Sequence, residues 1–375
     1  MRAPLIAGLF SLVLCVLCAC NSTGANGAPV DPNAPAALGS LRHARVAAPD
    51  LAKGERLVYF GSSLSDEHVA RLERDAPNLE LVLGLSREEA LARANEAHGV
   101  DSFYATPEFV AAAPNLAWVQ IKSAGVDRYI DTEHLGHNEA LVLTNLRAVS
   151  GPIIADHVFA LLLAMTRDLP VHLANRATGT WDRAGSGVFE PVGLAGRTLL
   201  VVGLGGIGSE VAKRAKGFGM TVLATRRSEA ERPDYVDVQG TADRLDDFLP
   251  RADVVVLCVP LTDETTGLMN AERFALMPDG AYLVNIARGK VVDTAALMAA
   301  LDGGRLASAG LDVTDPEPLP ADHPLWSYPN VIVTPHTAGR GELTLTRLEI
   351  MYSENLRRFA AGEPLYNVID RDAGY

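Results

Sequence analysis

The sequence predicts an α/β protein made of two doubly wound parallel-sheet units, and three observations carry that expectation. From Arg56 onward, short apolar runs alternate with charged, Ala- and Leu-rich stretches, which is the pattern of strands alternating with helices. A glycine-rich turn, Gly203 to Gly208, stands directly between one such run and a helical stretch. The chain has 375 residues, and at roughly 150 residues per domain that length suits two units.

Composition narrows the classes further. With 48% apolar and 21% charged residues the chain can bury a core, which excludes disorder throughout. Its 33 basic and 46 acidic residues give a net charge of −13, so no basic field is available for a nucleic-acid backbone, and no nucleic acid is expected as a partner. Four cysteines, three of them at positions 15, 18 and 20, offer neither a disulfide framework nor paired metal-ligand spacing. No metal is expected, and Cys258, inside an apolar run, reads as inert core.

Taken in chain order, residues 1–20 read as a signal peptide: Arg2, then an uncharged apolar run from Ala3 to Ala19 that is too short to span a bilayer comfortably. Leu17-Cys18-Ala19-Cys20 resembles a bacterial lipobox, which makes Cys20 the expected site of lipidation. The expected location is the bacterial cell envelope, lipid-anchored or periplasmic, with membrane contact only through that anchor. A misassigned start codon in front of a cytoplasmic enzyme is the alternative. Residues 21–54 are rich in Ala, Gly, Pro and Asn without period and read as a disordered linker.

The first unit, residues 55–150, has candidate strands Leu57 to Gly61, Leu79 to Gly84, Ser102 to Ala105, Leu116 to Lys122 and Leu141 to Thr144. Ser65 to Asp75 and Ser86 to Ala97 open with serine caps and show helical spacing. After the fourth strand, Ser123-Ala124-Gly125-Val126-Asp127 can turn the N–H groups of Ala124, Gly125 and Val126 toward one point, a nest suited to a carboxylate. An ordinary turn is the plainer reading. Ile153 to Thr166 reads as a long buried helix leaving this unit, and His157 within it as a core or interface histidine.

The second unit, residues 151–336, opens with strand Thr198 to Val202, followed by Gly203-Leu204-Gly205-Gly206-Ile207-Gly208 and the helical stretch Ser209 to Phe218. In that context the glycines have separate tasks: Gly203 permits the turn, Gly205 lets a pyrophosphate approach the backbone, and Gly208 lets helix pack on strand. The next strand, Met220 to Ala224, ends in Thr225-Arg226-Arg227, where a carboxylate would hold an NAD ribose. Two guanidiniums can fork onto a 2′-phosphate, so NADP(H) is favoured and NAD(H) possible. Strands at Asp253 to Val259, Ala281 to Ile286, Ser308 to Val313 and Asn330 to Thr334 bring the sheet to six.

Ligands of such sheets lie outside the carboxyl ends of the strands. Just past the last three strands stand Arg288, Glu317 and His336. A planar guanidinium can hold a substrate carboxylate and carbonyl oxygen, an imidazole can give a proton to that oxygen, and a carboxylate bonded to the imidazole favours its protonated form. These types suit reduction of a 2-oxo acid. Asp312 reads as orienting the cofactor's carboxamide or neighbouring backbone.

At these residues the chain resembles the D-isomer-specific 2-hydroxyacid dehydrogenase family, closest to its glyoxylate/hydroxypyruvate reductase members, over roughly residues 55 to 375. The matching segments are Val202 to Gly208, Pro260-Leu261-Thr262, Asn285-Ile286-Ala287-Arg288-Gly289, Asp312 to Pro318 and Pro335-His336-Thr337-Ala338-Gly339. The resemblance implies that Arg288, Glu317 and His336 are catalytic and that Ser123 to Asp127 binds the substrate carboxylate. Gly206, Ile207, Pro260 and Ala287 are expected to line the cofactor. It also implies a Rossmann domain inserted into a flavodoxin-like substrate domain completed by residues 337–375, and a homodimer formed through the cofactor domains. The expected activity is hydride transfer between NADP(H) and a small 2-oxo acid, glyoxylate or hydroxypyruvate. A related formate dehydrogenase carries Gln where Glu317 stands, so Glu317 counts against that reaction. A nicotinamide-binding redox sensor or scaffold without catalysis, held at the envelope, is the alternative.

Overall fold

The computed structural model describes residues 34–41, 45–47, 55–183 and 191–375. The expected signal peptide and the expected lipidation site at Cys20 lie outside the described residues.

Two all-parallel sheets organise the chain. The first holds β1 (Leu57–Gly61), β2 (Leu79–Leu83), β3 (Gly99–Asp101), β4 (Trp118–Gln120) and β5 (Val142–Thr144) in the order β2-β1-β3-β4-β5. This is the flavodoxin-like order. The second holds β6 (Thr198–Val202), β7 (Thr221–Arg226), β8 (Val238–Thr241), β9 (Val254–Leu257), β10 (Ala281–Asn285), β11 (Leu306–Leu311) and β12 (Val331–Val333). Their order is β12-β11-β10-β9-β6-β7-β8, a doubly wound sheet with its reversal between β6 and β9.

Burial follows from the sequence pattern. The central strands β6, β9 and β10 are rich in Val and Leu because helices cover both faces of the second sheet. The Gly151–Thr166 helix supplies one cover, with Ala155, Val158, Phe159 and Leu162 packed in the same cluster as Val201, Val256 and Val284. The Glu342–Ala361 helix returns to the first sheet: Tyr352, Leu356 and Phe359 share a cluster with Tyr59 and Trp118. The Trp118 ring centroid lies 5.0 Å from those of both Tyr59 and Phe359, and such aromatic pairs contribute about 1 kcal/mol beyond area burial.

Three expectations need correction. The third strand is Gly99–Asp101, not Ser102 to Ala105. A Cβ at Gly99 would meet the Tyr59 ring at 2.6 Å, so the strand passes where only glycine fits, and the more apolar Phe103-Tyr104-Ala105 forms the following turn. The second sheet has seven strands because Val238–Thr241 pairs with β7 at the edge; Val-Gln-Gly-Thr is half-buried and carries no apolar run. Finally, part of the expected linker is structured. Leu38 and Ala47 are buried, Ser40 and Asn367 exchange hydrogen bonds at 2.8 and 2.9 Å, and the Leu365 amide donates to the Arg45 carbonyl at 3.0 Å.

Candidate active site

The turn after β6 is built as its glycines require. Gly203 has φ +101°, and a Cβ there would lie 2.8 Å from the Cys258 carbonyl oxygen. At Gly208 a Cβ would collide with the Gly203 carbonyl, so helix Gly206–Gly217 starts tightly against β6. Around Gly205, by contrast, the space is open, and Gly205 and Gly206 are exposed while Ile207 is half-buried. The first turn of this helix carries no acidic side chain, leaving its N–H groups and positive dipole end for an anion.

At the end of β7 stand Arg226 and Arg227. The Arg226 Nε is buried and meets no hydrogen-bond partner among the described residues, an orphan that a phosphate oxygen would satisfy. Arg227 is engaged: its Nη1 donates to the Ala373 carbonyl at 3.4 Å and its guanidinium lies 5.5 Å from the centroid of the Tyr375 ring. Hydrogen bonding with the Tyr375 side chain raises the Arg227 pKa above its ordinary value. Beyond β9, Pro260 is exposed, and its carbonyl accepts from the Thr265 hydroxyl at 2.7 Å. Glycine turn, free helix start and orphaned guanidinium together fit a dinucleotide carrying a 2′-phosphate.

The reactive candidates come from β10, β11 and β12, which are neighbours in the sheet. Buried Asn285 shapes the first of their loops: its side chain accepts from the Ala287 amide at 3.0 Å and donates to the Arg288 carbonyl at 2.9 Å. Arg288 then reaches the turn after β4. Its Nε and Nη2 donate to Asp127 Oδ1 at 3.1 and 3.0 Å, and its Nη1 to the Ala287 carbonyl at 2.8 Å. One hydrogen on each terminal nitrogen is left over, the end-on fork that receives a carboxylate.

The facing turn has its carbonyls tied back and its amides free. Ser123, Ala124 and Gly125 accept from the Leu146 amide, the Asn145 side chain and the Ser123 hydroxyl. The amides of Ala124, Gly125 and Val126 find no acceptor among the described residues. A Cβ at Gly125 would run into the Arg288 guanidinium, so glycine is what allows the two parts to touch. The expected nest and the expected anchor are therefore brought together across the cleft.

His336 and Glu317 are paired. The imidazole Nδ1 lies 2.7 Å from Glu317 Oε1, which leaves Nε2 for a substrate. His336 has φ +52°, a conformation that costs a non-glycine residue about 1–3 kcal/mol unless its surroundings impose it. Asp312 imposes it. The Asp312 carbonyl accepts from the His336 amide at 2.8 Å, and its carboxylate, 3% exposed, accepts from Thr334 Oγ1 and from the Thr337 and Ala338 amides at 2.6, 2.9 and 2.9 Å. Of the two tasks expected of Asp312, the geometry carries the one on neighbouring backbone. His157 joins the network through Thr334 Oγ1 at 3.0 Å.

Two contributors escape a reading of the sequence. Asp127 reads there only as part of a turn, since its ion pair with Arg288 links positions 161 residues apart. Asn285 reads only as part of a motif, although an asparagine at a strand end two residues before a loop amide signals an Asx-type turn.

Comparison with known proteins bears on this arrangement. A family model described as D-isomer specific 2-hydroxyacid dehydrogenase, NAD binding domain, matches residues 159–338. A glyoxylate reductase of Korarchaeum cryptofilum is 36% identical over 76% of this chain and 87% of its own length. A D-3-phosphoglycerate dehydrogenase of Archaeoglobus fulgidus is 32% identical over 84% of this chain, but the match spans only 59% of that longer protein. Among solved structures, a D-isomer specific 2-hydroxyacid dehydrogenase of Xanthobacter autotrophicus in complex with NADPH and MES superposes with a TM-score of 0.69 at 32% identity, covering 86% of this chain and 100% of that one. Sheet order, glycine turn and sequence likeness agree: the chain belongs to the D-isomer specific 2-hydroxyacid dehydrogenase family.

Proposed function

We propose that the protein is an NADP(H)-preferring reductase of small 2-oxo acids, with glyoxylate or hydroxypyruvate as substrate and a D-2-hydroxy acid as product where a stereocentre forms. The observation that carries this reading is the meeting of the turn bearing the free Ala124, Gly125 and Val126 amides with Arg288, whose strand β10 neighbours β11 and, through it, β12, the strands that lead into the His336–Glu317 pair. A bound nicotinamide dinucleotide supplies the hydride. The amide nest and the spare fork of Arg288 take the substrate carboxylate, and the same guanidinium polarises the 2-oxo oxygen. His336 Nε2 donates the proton to that oxygen, with Glu317 holding the ring and stabilising the imidazolium before transfer. Asp312 acts through His336, by fixing the loop on which it rides.

Preference for NADP(H) is supported by Arg226, whose buried Nε lacks an acceptor among the described residues, and by the lack of an acidic side chain where β7 ends. The solved relative from Xanthobacter autotrophicus holds NADPH. A homodimer is supported by the exposed apolar side chains Leu169, Leu173 and Trp181 after the long helix, Trp181 being 89% exposed. Anchoring at the cell envelope through Cys20 belongs to the same reading and rests on the leader sequence; mass spectrometry of the membrane fraction reads the acylated cysteine directly.

Steady-state oxidation of NADPH with glyoxylate and with hydroxypyruvate tests the proposal. Turnover with either supports it. Retained NADPH binding without turnover of any small 2-oxo acid would favour the sensor instead.

A further inference from the structure

Residues 370–375 form a closed turn: the Asp370 amide donates to the Tyr375 carbonyl at 3.2 Å, the Tyr375 amide to the Asp370 carbonyl at 3.3 Å, and the Ala373 amide to the Asp370 carboxylate at 3.0 Å. The turn is seated on the first sheet's side. Arg371 Nη2 donates to the Asn138 and Leu141 carbonyls at 2.8 Å each, the Ile369 amide donates to the Leu143 carbonyl at 2.9 Å, and the Tyr375 side chain packs on the cluster containing Leu135 and Leu141. Yet its outer edge touches the other sheet's loops. Ala373 accepts from Arg227, the Tyr375 ring lies under the Arg227 guanidinium, and a Cβ on Gly374 would sit 3.4 Å from Thr262 Cγ2.

Arg227 follows β7 and Thr262 lies just beyond β9, the strands on either side of β6 and its glycine turn. In a doubly wound sheet these two loops border the adenosine half of a bound dinucleotide. The two arginines differ in their engagement: Arg226 keeps an orphaned Nε that a phosphate would satisfy, and Arg227 holds the turn.

We propose that Tyr375 is a cofactor-positioning residue, and that the turn Arg371 to Tyr375 forms, with Arg227, the outer wall of the adenosine site. The substrate-side unit thereby contacts the coenzyme at the end remote from the reaction, and cofactor occupancy draws the two units together. This rests on the dinucleotide reading above.

The test uses the full chain, Tyr375→Ala, and a variant lacking residues 373–375. NADPH affinity is measured by fluorescence titration. In parallel, glyoxylate reduction is followed with reduced nicotinamide mononucleotide, which has no adenosine. Losing one ring-and-guanidinium wall should weaken NADPH binding about tenfold. Kinetics with the mononucleotide should stay unchanged, and Tyr375→Phe should retain most of the wild-type affinity. Unchanged or tighter NADPH binding in both variants would overturn the proposal, as would equal losses with the two cofactors, since the turn would then serve general stability. A wild-type chain that binds no NADPH would instead strike the dinucleotide reading itself.

Discussion

Asp127 and Arg288 show how much of the site is decided by single side chains. Three of the five guanidinium donors are used to aim Arg288, two by Asp127 and one by its neighbour's carbonyl, and the remaining pair points outward. Arg288, Glu317 and His336 are legible in the sequence because each lies in the segment that follows an apolar strand and their three side-chain types together suit one reaction. Asp127 is not legible as a partner because contact across a cleft leaves no local pattern. Arg226 is legible for the opposite reason, a guanidinium standing where a carboxylate would hold a ribose. If its orphaned Nε meets a 2′-phosphate, Arg226→Asp should reduce the preference for NADPH over NADH by at least about tenfold, measured as the ratio of kcat/KM values. An unchanged ratio would assign specificity to other residues.

At the scale of elements, the sequence is most informative where one physical rule dominates. Ser86 and Glu89 form the reciprocal capping box that their spacing announces, and the glycine turn after β6 lies between strand and helix as its pattern requires. It is least informative where tertiary contact decides. Strand β3 begins at Gly99 because Tyr59 passes against it, and β8 exists because β7 offers an open edge. The entry to β3 also makes stability pH-dependent. His98 accepts the Val58 amide at Nδ1, 3.1 Å away, and burial pushes its pKa below the ordinary 6.5. The fold therefore favours neutral His98. Its contribution is fully present above the unfolded pKa of about 6.5 and is lost as pH falls toward the folded value. Denaturant melts between pH 7.5 and 5 should show wild type losing more stability on acidification than His98→Gln; equal losses would mean that His98 is not the group responsible.

For the whole molecule, the contacts between the two units include Arg288 on Gly125 and the 370–375 turn on Arg227 and Thr262, one at the expected reacting end and one at the expected adenosine end. The two-unit α/β class follows from alternation and length, whereas the return of the Glu342–Ala361 helix to the first sheet comes only from family resemblance, since an amphipathic helix does not name its partner. Assembly belongs to this scale too. With Leu173 and Trp181 exposed, the doubly substituted Leu173→Asp, Trp181→Asp chain should sediment as a monomer while the wild type sediments as a dimer. Identical sedimentation of the two would place the dimer contact elsewhere.

We propose that the ends of β10, β11 and β12 form one reductive centre, with His336 giving the proton while hydride reaches the 2-oxo carbon. Reduction of glyoxylate with NADPH deuterated at both C4 positions of the nicotinamide, followed by NMR of the glycolate formed, follows the hydride itself. Wild type should place deuterium at C2, and His336→Ala should do so at least roughly 10²-fold more slowly while binding NADPH as tightly as wild type. Glycolate without the label would exclude direct hydride transfer, and equal labelling rates in the two proteins would remove His336 as the proton donor.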